Sequence, residues 1–111
     1  VLLQDLVTCR NVQGNGAPID PTTVFHQHDR LYCSVKAWHL KPGSVVNVVW
    51  QGPQNACKIQ PLISKAAEGN YYLKFYWDPA KDSWPIGTYT VTMIADGVAQ
   101  RSVQFQVVGG G

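Results

Sequence analysis

Glutamate is almost missing from this 111-residue chain: Glu68 is the single one, and charged residues make up only 14% of the sequence. Globular domains usually carry about a quarter, so other polar groups must cover this surface. Lys and Arg number 9 against 7 acids, a net charge of +2 scattered along the chain, which gives no basic stripe for nucleic acid. No apolar run is long enough to span a bilayer, and no basic segment leads into a short apolar one as in a signal peptide. The sequence starts at Val1 rather than Met, which reads as a removed leader or as an excerpt from a longer chain.

Catalytic patterns are missing as well. Ser34, Ser44 and Ser64 have no elbow-like glycine context, and no Cys–His pairing is suggested locally. One Glu and six Asp, mostly in turn-rich stretches, offer little for paired acid–base work. No glycine loop is shaped to cradle a phosphate. The expectation is a protein that is not an enzyme and takes no cofactor.

What is present is β-structure. Thr, Val, Gln, Asn and Tyr stand where Lys and Glu are usual, the choice of half-solvated sheets. Residues 82–97 are the clearest signal. Trp84-Pro85-Ile86-Gly87-Thr88-Tyr89 enters strict alternation, and Asp96-Gly97 closes it before a second alternating run. Asp-Gly tolerates the positive φ angles of a two-residue type I′ turn, so residues 87–95 and 98–108 are predicted to form a hairpin.

The rest of the chain follows the same rhythm. Residues 1–12 predict a first strand, with Val1, Leu3, Val7 and Cys9 on one face and Leu2 and Leu6 on the other. That strand is apolar on both sides. Residues 11–29, with Gly14, Gly16, Pro18 and Pro21, read as a long ordered loop. Residues 30–39 alternate Leu31, Cys33, Val35 and Ala37 against Tyr32, Ser34, Lys36 and Trp38. Residues 45–51 suit a well-buried strand. Residues 57–65, interrupted by Pro61, suit an edge. Residues 71–77 are a strongly aromatic strand, and residues 78–84 a loop. About seven strands with frequent turns and no helix predict an all-β, antiparallel sandwich in one domain over residues 1–108, with a glycine tail at 109–111.

Several segments together resemble the immunoglobulin-like β-sandwich modules of bacterial and archaeal secreted and surface proteins. They are residues 16–25 (from Gly16 through Pro18 and Pro21 to Phe25), Asp29-Arg30-Leu31-Tyr32-Cys33, and residues 42–50 from Pro42-Gly43 to Trp50. The Trp84–Tyr89 motif, Asp96-Gly97 and Phe105-Gln106-Val107 complete the set. The resemblance implies an Ig-like sandwich. It implies no antibody-type disulfide, because the strand that ought to hold the second cysteine, residues 89–95, has none. It carries no activity either, since such modules serve as spacers, adhesins and assembly domains.

Four candidate sites follow. His26 and His28 form a His-x-His pair, with His39 the one other histidine; a four-ligand metal site would need Cys57 or Asp29 to join in, and they read as solvated loop histidines. Three cysteines in so short a chain point to an oxidising, extracellular setting, with Cys9–Cys33 the favoured bridge and Cys57 left over. Such a bridge would contribute about 3 kcal/mol in the chain-entropy model. Tyr72 and Tyr76, beside Trp38, form either a binding face for glycan or protein or an ordinary cross-strand cover. Trp84 reads as a plug and Tyr89 as a corner tyrosine.

The greasy N-terminal strand motivates the functional expectation. Val1, Leu2, Leu3, Leu6 and Val7 would insert into a neighbour as a donor strand and build a homopolymeric filament or surface layer. The alternative is an adhesion or binding module of a larger surface protein.

Overall fold

The computed structural model describes residues 1–78 and 84–109, and within them the chain is all-β. Nine strands run in order: β1 (Leu2–Val12), β2 (Pro18–Pro21), β3 (Val24–His26), β4 (Leu31–Leu40), β5 (Val45–Gln51), β6 (Cys57–Ile63), β7 (Gly69–Trp77), β8 (Gly87–Ala95) and β9 (Val98–Val108). They form two sheets, one ordered β2-β1-β4-β7 and the other β3-β9-β8-β5-β6. Every pairing is antiparallel except β3 with β9.

Alternation explains which side of each strand is buried. On β4, Leu31, Cys33, Val35 and Ala37 face inward, and on β8, Tyr89, Val91, Met93 and Ala95 do. On β5 the buried set is Val46, Val48 and Trp50. The two inward faces meet in one apolar cluster that draws on both sheets. A closed circuit of rings ties them at one end. Trp50 meets Trp77 at 6.1 Å, Trp77 meets Trp84 at 4.5 Å, and Trp84 meets Tyr89 at 6.2 Å; Tyr89 stacks on Phe105 at 5.4 Å, and Phe105 returns to Trp50 at 6.1 Å. Edge-on and offset pairs of this kind contribute about 0.5–1.5 kcal/mol each beyond their buried area.

Trp84 is the plug the sequence suggested: it is buried, and its indole N–H donates to the Asp29 carbonyl at 2.8 Å. Tyr89 is the corner tyrosine, its hydroxyl donating to the Pro85 carbonyl at 2.7 Å. The hairpin turn is also as read, with Asp96 at φ 47° and Gly97 at φ 85°. The predicted loop at residues 78–84 lies outside the described residues from 79 to 83, as does the end of the glycine tail at 110–111.

Three sequence expectations are corrected. The loop at residues 11–29 contains two short strands. Thr22 N–H donates to Thr8 O at 3.0 Å and Gln106 N–H to Thr23 O at 2.8 Å, so the chain leaves one sheet for the other between Thr22 and Thr23. That crossing closes one side of the molecule.

The first strand is apolar on both faces, but its residues are divided between them differently from the period-two expectation. Asp5, at φ 56°, sits in a bulge where the register slips between Gln4↔Lys36 and Val7↔Ser34. The extra residue turns the strand over locally. Leu3 and Leu6 therefore both enter the core, whereas Leu2 is exposed and Val7 lies opposite Ser34 on the outer face.

The Cys9–Cys33 bridge is not formed; all three cysteines are free. The register sets Cys9 against Tyr32 and Cys33 against Thr8, which puts the two thiols on opposite faces of the sheet. Burial raises the pKa of both above the ordinary thiol value of 9.0, most strongly for Cys33, whose thiol also feels Cys9 nearby.

Candidate functional site

Two surfaces stand out, and β7 takes part in both. The first is the outer face of the β2-β1-β4-β7 sheet. The register pairs Tyr32 with Tyr76, Ser34 with Lys74, and Lys36 with Tyr72 across β4 and β7. Their rings and cations interleave. Arg30 stands over Tyr76 with its guanidinium 4.7 Å from the ring centre, and its Nη1 donates to the Tyr32 hydroxyl at 3.1 Å. Asp78 accepts from the same guanidinium. Those hydrogen bonds, to Tyr32 first and Asp78 second, hold Arg30 still more firmly in its charged form. At the other end, Lys36 Nζ lies 4.3 Å from the Trp38 ring centre and 5.7 Å from that of Tyr72.

The expected face of Tyr72, Tyr76 and Trp38 is thus present but divided. The turn at residues 13–17 folds over its middle. The Ser34 hydroxyl donates to the Gly16 carbonyl at 2.7 Å, and a Cβ at Gly16 would lie 3.1 Å from Tyr72 Cβ. Gly16 has φ 89°, so glycine meets both demands, the close approach and the left-handed backbone. Two cation–aromatic clusters result, Arg30/Tyr32/Tyr76 and Lys36/Trp38/Tyr72. Tyr32 and Lys36 are four strand steps apart, about 14 Å at ~3.4 Å per residue.

The second surface is the side opposite the β2–β3 crossing, where edge strands β6 and β7 flank a groove of about 550 Å³. Leu62, Phe75 and Trp77 supply its apolar part, and Lys58 and Lys74 its cations. β6 is an edge strand, as Pro61 suggested, but its polarity is reversed. Its register with β5 puts Lys58, Gln60 and Leu62 on the side of buried Trp50, Val48 and Val46. Ile59 and Ile63 face outward, 60% and 61% exposed. Gln60 joins the sheets: its Oε1 accepts from Trp50 Nε1 at 2.9 Å and its Nε2 donates to the Tyr76 carbonyl at 2.6 Å.

The N-terminal residues are held within their own chain. β1 pairs with both β2 and β4, and Gln100 on β9 clasps its start. The Gln100 amide accepts from Leu3 N–H at 2.7 Å and donates to the Val1 carbonyl at 3.0 Å.

His26 ends β3 and His39 lies near the end of β4. Among the described residues no three His, Cys, Asp or Glu side chains gather as a metal site would require. No described helix is long and apolar enough to cross a membrane, which says nothing of strand-built spans.

Arg30, Lys36 and Gln60 escaped the sequence reading. The signal for Gln60 was available, since strict period-two reading of β6 sets Lys58, Gln60 and Leu62 apart from Cys57, Ile59, Pro61 and Ile63. Comparison with known proteins does not extend these observations: no protein-family model matches the chain, and no curated protein does.

Proposed function

We propose that the chain is a non-enzymatic, immunoglobulin-like adhesion module of a secreted or cell-surface protein, binding an anionic glycan or protein surface through the outer face of the β2-β1-β4-β7 sheet. The strand order and the parallel β3–β9 pairing support the Ig-like reading. The observation that carries the function is the pair of cation–aromatic clusters on one sheet face. Tyr, Trp and Arg are the residues that anchor interfaces. Because Arg30 and Lys36 already stand over ring faces, a neutral sugar would have to displace them to stack. An acidic group meets them directly.

The test is retention of the protein on immobilised acidic and neutral polysaccharides, with and without Tyr72→Ala and Tyr76→Ala together. The reading expects retention on the acidic polymers, weakened in the double variant at unchanged melting temperature. Equal retention of parent and variant, or none on any polymer, rules this face out.

The second reading is a filament subunit joined by exchange of residues 1–8 between copies. One observation favours it: Leu3 and Leu6 fill the core from a strand at the chain's start. A neighbour's copy of that strand would reproduce each of these contacts.

A further inference from the structure

We infer that the groove between β6 and β7 is a second, separate site, which takes an extended acidic peptide segment as an added strand along β7. The Gln60 hydrogen bond to Tyr76 O shows that this edge carbonyl points into the groove and is satisfied there by a side-chain amide. A side-chain N–H in that place stands in for the backbone N–H of a neighbouring strand. Backbone polar groups alternate in direction along a strand, so Lys74, two residues earlier, presents its own N–H and C=O to the same edge. β7 has neither a proline nor a bulge over Lys74–Trp77 to break the hydrogen-bonding edge; its one protection there is the charge of Lys74, which an acidic partner would neutralise. β6 across the groove does carry one, Pro61. The acceptor is therefore β7 and not β6.

The side chains define the partner. A strand added to β7 places alternate residues toward the apolar wall of Phe75, Leu62 and Trp77 and the others on the outer side of the sheet, where the register sets Lys74. Lys74 on β7 and Lys58 on β6 both line the groove, one from each sheet. The carboxylate at the end of the groove, Asp78, is already paired with Arg30. The unbalanced charge is positive, and a segment alternating apolar with acidic residues complements it.

The probe is a capped synthetic peptide, Thr-Val-Asp-Val-Asp-Val-Thr, titrated into the isotope-labelled protein while backbone amide resonances are followed. Controls replace both Asp by Lys, or N-methylate alternate amides in either phase so that one edge of the peptide can no longer donate. Shifts should centre on Lys74 and Tyr76. The Lys peptide should bind roughly ten-fold more weakly, as two exposed ion pairs allow. One of the two N-methylation patterns should abolish binding and the other should not. Lys58→Glu, an exposed change on the opposite sheet, should weaken the acidic peptide and strengthen the Lys peptide. Shifts confined to Tyr32, Trp38 and Tyr72 would assign the peptide to the outer face and overturn the groove. Absence of shifts at about 1 mM peptide, or binding indifferent to N-methylation and to Lys58→Glu, overturns strand addition.

Discussion

Gly52 lies against the ring of Tyr89, so close that a Cβ at position 52 would come within 2.4 Å of Tyr89 Cε2. Tyr89 is fully buried, stacked on Phe105 and tied through its hydroxyl to Pro85, so it has little room to retreat. Gly52→Ala should destabilise the protein by about 1–3 kcal/mol, the usual cost of overpacking. Tyr89→Phe removes the hydroxyl and leaves the packing, at a cost of about 1 kcal/mol. Urea melts of the two variants check the order: Gly52→Ala must be the less stable. Equal midpoints for Gly52→Ala and parent would mean the loop simply lifts away.

Trp84 touches both sheets through Trp77 and Tyr89 and anchors the Asp29 and Gln27 carbonyls by its two N–H groups. Trp84→Ala should cost about 3–5 kcal/mol, as for other buried aromatics. Trp84→Phe keeps much of the volume but leaves the Asp29 carbonyl without its indole donor, and should fall between parent and Ala. Thermal melts by tryptophan fluorescence give the ranking. A near-zero effect of Trp84→Ala would mean this end of the core does not hold the sheets together.

The thiols make a chemical prediction. Cys57 is exposed, whereas Cys9 and Cys33 are buried on opposite faces of one sheet. Ellman titration of reduced protein should find one reactive thiol in the native state and three in denaturant. A non-reduced digest that links Cys9 to Cys33 would contradict the register. Burial raises both native thiol pKa values, and that of Tyr89, above their ordinary 9.0 and 10.0. The native state then holds protons that the unfolded chain releases. Stability should be undiminished by these groups below pH 9.0 and fall as pH climbs from there toward the native values. Serine at both Cys9 and Cys33 should flatten much of that decline.

The features legible in the sequence were those whose cause is local. Asp96-Gly97 names its turn type, and alternation along β4 and β8 separates the two faces, whereas the near-continuous Val and Trp of β5 mark a strand without naming which face is buried. Pro61 marks β6 as an edge because proline cannot donate to a ladder on both sides. What was missed depends on partners far away in the chain. β2 and β3 have only four and three residues, too few to alternate, and exist because β1 and β9 offer edges to pair with. The bulge at Asp5 is invisible in a period-two reading, and it changes which leucines are inside. Alternation along β7 separates exposed Tyr72 and Tyr76 from buried Phe75, but Arg30, Lys36 and the turn at residues 13–17 reach that face only through the folded register.

The sharpest test concerns residues 1–8. Their removal takes Leu3 and Leu6 from the core, each of which contributes on the order of 1.5–3 kcal/mol when fully buried. It also exposes the edge of β4 and leaves Gln100 without the Val1 and Leu3 backbone groups that it clasps. A sum of that size is a large share of the stability of a small domain, so the truncated protein should be unfolded or only marginally folded. Trimming the glycines at 109–111 removes no side chain from the protein and should change little. Adding a synthetic peptide of residues 1–8 to the truncated protein then separates the two functional readings. If the peptide restores cooperative folding, the vacated edge of β4 accepts this strand from outside. Concentrated parent protein should then show domain-swapped dimers or longer chains by light scattering and electron microscopy. If the truncated protein folds unaided, or the peptide restores nothing and the parent stays monomeric, strand exchange through residues 1–8 is ruled out. The adhesion reading is then left standing alone.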